Sequence, residues 1–131
     1  METSTEAKLS ASELGLRLGY FTGTEHYYKH WLPGLVFTDG VKYLADKAGA
    51  YWLIDIVASY QPKLRKMSSG LREFQLWTLK VNEETREAVV TCQADLNTPN
   101  VVRQLIPYTD FPLAEIKLYV EGNVLLLPSE H

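Results

Sequence analysis

The sequence is poor in cysteine, in net charge and in long apolar runs, and each shortage excludes a class of protein. Cys92 is the only cysteine among the 131 residues, which excludes an intramolecular disulfide and a multi-cysteine zinc site. A formal net charge of −3 gives no overall attraction to nucleic acid or to an anionic membrane. No apolar run approaches the roughly eighteen residues of a membrane span. Residues Met1–Ser10 are polar and predict no secretory signal. We therefore expect a cytoplasmic protein, with neither membrane nor nucleic acid as a partner.

Motifs for cofactors and for common catalytic sites are missing as well. Phosphate-binding loops, dinucleotide fingerprints, nucleophile elbows and His-Glu-x-x-His zinc motifs are all absent. We therefore expect no cofactor and no metal, and the sequence favours a protein that is not an enzyme. Cys92 ends the β-favouring run Ala88–Cys92 and has only Arg86 as a cationic neighbour in sequence. We interpret it as a small buried hydrophobe rather than a nucleophile.

What the sequence does contain is a strongly apolar segment at its centre. Residues Gly40–Gln61 predict a helix whose second half is apolar on almost every face except at Asp55. Such a helix has to lie beneath other structure, so we predict that it forms the centre of the fold. Gly49 either splits the segment into two helices or is tolerated inside one, at a cost of about 1 kcal/mol. Pro62 is predicted to end it.

The N-terminal part predicts a tail and a short capped helix. Residues 1–12 are predicted to be a flexible tail, and residues 13–131 to be a single domain. Ser10 or Ser12 can cap a helix that ends at Leu18.

Two further segments in this half are harder to interpret. In His26–Trp31 the aromatic residues favour a strand, whereas the spacing of Thr22 and Glu25 is that of a helix capping box, and we prefer the helix. The polar segment Lys63–Arg72 predicts a mobile loop.

The C-terminal half predicts antiparallel strands. Glu73–Val81 and Arg86–Ala94 predict a hairpin, Val101–Ile106 predicts a strand or one helical turn, and Ile116–Val120 predicts a strand that turns through Gly122 and Asn123 into Val124–Leu127. Helices that precede strands indicate an α+β fold, with the central helix packed on a C-terminal antiparallel sheet of hairpins. If Val124–Leu127 forms an exposed edge strand, the chain can pair with a second copy as a homodimer.

Five polar residues form a candidate pocket: His26, Tyr28, His30, Asp39 and Asp55. On a helix the two histidines would share one face, and a metal would also need a carboxylate such as Asp39. The favoured interpretation is instead two half-buried histidines with backbone or tyrosine partners. Asp55 would have a raised pKa if it were unpaired in an apolar helix, but a structural polar anchor is the favoured interpretation.

The only cationic cluster comprises Lys63, Arg65, Lys66 and Arg72. On an acidic protein this candidate contact loop could meet phosphate or an acidic partner. A solvated polar linker is the favoured alternative.

Several segments resemble a bacterial family of small proteins of unknown function, which occurs in cyanobacteria and other bacteria and sometimes on mobile elements. The resemblance runs from about Phe21 to the C-terminus, and its segments are 21–25 with His30, 38–45, 49–55, 109–113 and 126–130. It implies no established activity and no catalytic residue. It implies an accessory or host-interaction role.

Together these observations predict a non-enzymatic α+β protein that acts by binding another macromolecule, in a mobile-element or defence context. The alternative is a small-molecule binding protein or minor enzyme that uses His26, His30 and Asp55 in one pocket.

Overall fold

The computed structural model describes residues 10–131, which form four α-helices and a mostly antiparallel sheet, five of whose seven strands lie in the C-terminal half. The predicted α+β class is confirmed. The first nine residues of the predicted tail lie outside the described residues. The helices are α1 (Ala11–Leu18), α2 (Asp39–Ala48), α3 (Tyr51–Met67) and α4 (Ser69–Glu73), and the strands are β1 (Tyr27–Lys29), β2 (Val36–Thr38), β3 (Phe74–Val81), β4 (Ala88–Gln93), β5 (Asn100–Ile106), β6 (Glu115–Glu121) and β7 (Val124–Leu126).

Within the described residues the strands form one seven-stranded sheet in the order β1-β2-β7-β6-β3-β4-β5. Strands β2 and β7 pair in parallel, and every other neighbouring pair is antiparallel. The predicted hairpins β3–β4 and β6–β7 are present, and Gly122 supplies the positive φ of the second turn. Val101–Ile106 is a strand rather than a helical turn.

The core lies between one face of the sheet and the helices. Side chains alternate across a strand, so Trp77 and Leu79 of β3 share a face with Val90 of β4 and Leu118 of β6. All four belong to one buried cluster with the inner faces of α2 and α3. The opposite face carries Thr78, Lys80, Thr91, Arg103 and Lys117.

The central helical segment differs from its prediction in two ways. Gly49 adopts the left-handed conformation (φ 63°, ψ 42°) and its N–H donates to the carbonyl of Ala45, so it ends α2 and the segment is two helices. Pro62 does not end α3, which continues to Met67. An interior proline costs about 3 kcal/mol. Full burial of Leu64 in the next turn recovers about 1.5–3 kcal/mol, because a leucine side chain leaves water.

Helix α3 is also less buried than predicted. Its inner face, including Leu53, Ile54 and Val57, is buried, but Tyr51, Asp55 and Ser59 of its outer face are exposed. The prediction that no face of this helix meets water was therefore wrong. Tyr51, Asp55 and Ser59 recur every four positions and form a narrow polar stripe along an otherwise apolar helix.

Three other local predictions were wrong. Residues His26–Trp31 do not form a helix, because Tyr27–Lys29 is a strand paired with β2. The segment Lys63–Arg72 is not a loop, because it is occupied by the end of α3 and by α4. Strand β7 is not an edge strand, because it lies between β2 and β6. The edges of the described sheet are β1 and β5, so a homodimer through Val124–Leu127 is excluded.

Glu130, in the segment after β7, helps to cap the N-terminus of α2. The carboxylate of Glu130 accepts a hydrogen bond from the Thr38 hydroxyl (2.6 Å) and another from the backbone N–H of Gly40 (3.0 Å). A helix N-terminus favours an acceptor of negative charge, because its first N–H groups have no partner within the helix. Thr38 and Glu130, about ninety residues apart in sequence, therefore cap the same helix N-terminus.

Candidate functional site

The five predicted pocket residues fall into two separate groups. In the first group Asp39 is the first residue of α2, and its carboxylate accepts from the backbone N–H groups of Glu25 (2.9 Å) and His26 (3.3 Å). It also accepts from the hydroxyl of Tyr28 (3.0 Å). The His26 ring lies 3.6 Å from the same carboxylate. Asp39 therefore holds residues 25–28 against the start of α2.

These bonds shift two pKa values. The pKa of Asp39 is lowered, chiefly by the backbone N–H of Glu25, because hydrogen bonds to the charged form favour it. The pKa of Tyr28 is raised, chiefly because its hydroxyl donates to Asp39. Beside this group lies a depression of about 470 Å³, lined by residues 20–25 and Asp39. The Asp39 carboxylate already accepts three hydrogen bonds, so its role is to connect two segments and not to act as a general base.

The second group is the pair His30 and Asp55. Nε2 of His30 lies 2.6 Å from the Asp55 carboxylate, and Nδ1 accepts the backbone N–H of Leu32 at 3.0 Å. With Nδ1 as an acceptor, Nε2 is the nitrogen that can donate to Asp55. The histidine side chain is 4% exposed, and both of its nitrogens are occupied. This pair joins the loop after β1 to α3 and leaves no nitrogen for a substrate.

The cationic residues are spread over two helices. Arg65 donates to the carbonyl of Gly122 and Arg72 donates to the carbonyl of Arg65, so both guanidinium groups bind backbone. Lys63 and Lys66 are exposed on α3. Half of the predicted contact loop therefore serves to join α3 to its neighbours.

The described residues hold no group of three His, Cys, Asp or Glu side chains that could bind a metal ion. Cys92 is fully buried, as predicted, and burial raises the pKa of its thiol to about 12. Among residues 10–131 no helix combines the length and the apolar character that crossing a membrane requires.

The feature that sequence reasoning missed is the β5 edge and the groove beside it. Tyr60 of α3 donates to the side chain of Gln104 (2.9 Å), so the helix accompanies the strand. Nearer the end of β5 a groove of about 490 Å³ opens between helix and strand. Its lining is apolar at Trp52, Ile56 and Ile106, with Tyr108 beside them and the polar residues Thr109 and Asp110 at the loop after β5.

Large apolar side chains are exposed along this edge. Leu105 is 65% exposed and Tyr108 is 69% exposed, and Leu96 in the loop before β5 is 63% exposed. Of these three residues only Leu105 lies in β5, whereas Leu96 precedes the strand and Tyr108 follows it. The proline pair Pro99 and Pro107, which brackets β5, was the one sequence signal of this strand's limits.

The wall of the groove is held in place by Arg86. Its guanidinium donates to the carbonyls of Thr109 (3.0 Å) and Phe111 (2.6 Å), and its own carbonyl accepts the N–H of Thr109. The side chain of Thr109 in turn accepts the N–H of Phe111. The loop that carries Tyr108 is therefore fixed before any ligand binds.

Hydrogen bonds at the end of β3 indicate, by alternation from strand to strand, which backbone groups of β5 are unpaired. The N–H of Val81 donates to Ala114 on the β6 side, and the N–H of Asn82 donates to Glu87 on the β4 side. Backbone groups alternate in direction along an antiparallel strand. Odd-numbered residues of β3 therefore bond to β6, and even-numbered residues bond to β4.

The same alternation continues across β4 into β5. Val90 directs its backbone groups toward β5, where it faces Gln104. Arg103 and Leu105 consequently direct their N–H and C=O groups away from β4. These two residues present a ready hydrogen-bonding edge to an incoming strand.

Comparison with known proteins gives one match. The model of a family described as "Family of unknown function (DUF6876)" matches residues 12–131. No curated protein and no solved structure matches the chain.

Proposed function

The chain belongs to the family of unknown function DUF6876, and we propose from its geometry that it is a non-enzymatic binding protein that accepts an extended segment of a partner protein along β5. The observation that carries this proposal is the combination of an unpaired strand of seven residues with an apolar groove at its side. Addition of a strand to such an edge supplies affinity through main-chain bonds and specificity through alternate side chains.

The protection of this edge is slight for its length: Arg103 is its one charge, and Pro99 and Pro107 lie just outside the strand. Charges, prolines and short length normally block unwanted pairing. Strand β1 at the opposite edge is only three residues long, whereas β5 has seven residues and one charge, Arg103. A seven-residue edge with a single charge, beside a groove, is an arrangement that suits a strand acceptor.

The two polar groups support this assignment rather than catalysis. His30 and Asp39 are both occupied by hydrogen bonds that join secondary-structure elements. A bacterial setting on mobile elements or in host defence, as the sequence resemblance implies, would suit a small cytoplasmic binding protein of this kind. The small-molecule alternative is weaker, because His26 and His30 bind different carboxylates.

The test separates backbone bonding from side-chain contact at one residue. Arg103→Pro removes an outward N–H, and a proline is tolerated where an edge-strand N–H faces solvent. Arg103→Ala removes the side chain but keeps the N–H, which makes it the matched control. Random peptides of about ten residues, displayed on phage, are selected on the wild-type chain and then titrated against both variants.

We expect selected peptides to bind Arg103→Ala and to lose about tenfold or more in affinity for Arg103→Pro. Circular dichroism and thermal melting must show that the proline variant is folded. If no peptide is enriched, or if the folded proline variant binds as well as the alanine variant, the strand-acceptor function is wrong.

A further inference from the structure

We infer that the segment accepted by β5 belongs to a different protein, is apolar on the side that faces the groove, and carries an acidic residue at the position opposite Arg103. This inference rests on the proposed function and specifies its partner. It follows from what an added strand would meet on each of its two faces.

On the helix side, the added strand would meet the apolar groove. Ile106 faces this side because it pairs with Ala88, and it lines the groove with Trp52 and Ile56. Tyr108 stands at the rim, largely exposed. Alternate side chains of the added strand would enter this groove, and only apolar or aromatic side chains would gain from burial there.

On the opposite side, the added strand would meet a guanidinium group. The side chain of Arg103 faces the helix-free side of β5 and is exposed. Among residues 10–131 it has no carboxylate within ion-pair distance. Arg103, Lys80 and Glu87 all line a depression of about 380 Å³, so two cations and one carboxylate lie there. Since directly opposed residues of opposite charge stabilise a strand pair, the position facing Arg103 favours Asp or Glu.

The same charge argues against a second copy as the occupant. Strand β5 reads Asn-Val-Val-Arg-Gln-Leu-Ile and contains no acidic residue. A symmetric pair centred on Arg103 would place two guanidinium groups opposite each other, which is unfavourable. Symmetric pairs centred on Val102 or Gln104 would place Arg103 opposite Val101 or Leu105, with no charge to pair with it. The edge is therefore complementary to a foreign acidic strand and not to itself.

The experiment uses two synthetic peptides of about ten residues. One alternates Leu with Asp and the other alternates Leu with Lys, and each carries a fluorophore for anisotropy at low salt. The wild-type chain should bind the Asp peptide about fivefold or more tightly than the Lys peptide. Arg103→Glu should reverse this preference, and Tyr108→Ser, an exposed position, should weaken binding of both peptides several-fold.

The outcomes separate the inference from the function beneath it. Equal binding of both peptides, lost in Arg103→Pro, would overturn the acidic preference and retain the strand acceptor. Binding that survives in folded Arg103→Pro would overturn both. If sedimentation shows a wild-type dimer that Arg103→Pro dissociates, a second copy occupies the edge and the foreign partner is wrong.

Discussion

His30 and Asp55 lie twenty-five residues apart in sequence and share a hydrogen bond of 2.6 Å between Nε2 and a carboxylate oxygen. The histidine is buried, whereas the aspartate side chain is 51% exposed. The bond therefore connects the loop after β1 to the outer face of α3 and stabilises that connection.

This relationship predicts coupling between the two residues. In a double-mutant cycle of His30→Ala and Asp55→Ala, we expect a coupling free energy of about 0.5–1.5 kcal/mol, measured by urea unfolding. Asp55→Asn keeps an acceptor for the Nε2 proton and should cost less than Asp55→Ala. Additive single variants would show that the bond contributes nothing to stability.

Asp39 predicts a pH-dependent contribution to stability. Its folded-state pKa lies below the ordinary value of 3.8, so the charged form is favoured by folding. This contribution is complete above the unfolded pKa and is lost as the pH falls through the folded pKa. The melting temperature of Asp39→Asn should thus lie below that of wild type at about pH 7, and the gap should narrow toward about pH 3. A gap that does not change with pH would contradict this role.

A buried amide pair predicts a non-additive effect. Gln61 and Gln75 exchange two hydrogen bonds of 2.9 Å, and Trp77 Nε1 donates to the same Gln75 oxygen at 2.8 Å. Gln75→Leu should destabilise the protein by about 2–4 kcal/mol, because it leaves the Gln61 amide and the indole N–H short of partners.

The double variant Gln61→Leu with Gln75→Leu is the control for this pair. It removes both amides and should cost less than the sum of the two single variants. Chemical unfolding of the four proteins measures the difference, and strict additivity would exclude a shared network.

Gly40 predicts a steric effect with a built-in control. A Cβ atom there would lie 2.6 Å from the Leu127 side chain and 2.8 Å from the Glu130 carboxyl group. Gly40→Ala should therefore destabilise by about 1–3 kcal/mol. Gly15→Ala in α1 meets nothing within 4 Å and should stabilise by about 0.5–1 kcal/mol. Thermal melts that show both variants stabilised would disprove the close approach of the C-terminus to α2.

Local sequence patterns were sufficient where neighbours in sequence supply the physical cause. Ser10 caps α1 through a bond to Glu13, and Thr38 caps α2 through a bond to Val41. The hairpin through Gly122 follows from one glycine that tolerates a positive φ. The burial of Cys92 follows from alternation along its strand.

Local patterns failed where burial or pairing with distant residues outweighs local propensity. Pro62 remains inside α3, where burial of Leu64 just beyond it offsets the cost of the proline. Within His26–Trp31 the residues Tyr27–Lys29 form a strand because β2 offers a pairing edge, a preference that exceeds the weak capping signal. Glu130 gave no indication that it would cap a helix ninety residues away.

The sequence by itself determined the α+β class, the strands of the C-terminal half and the buried cysteine, because side-chain periodicity and turn residues act over a few neighbouring positions. Only the tertiary structure decided which strands are edges, which carboxylate each histidine meets and where the groove opens. Those properties depend on the order in which strands pair, and that order is set by the burial of the whole core rather than by any local segment.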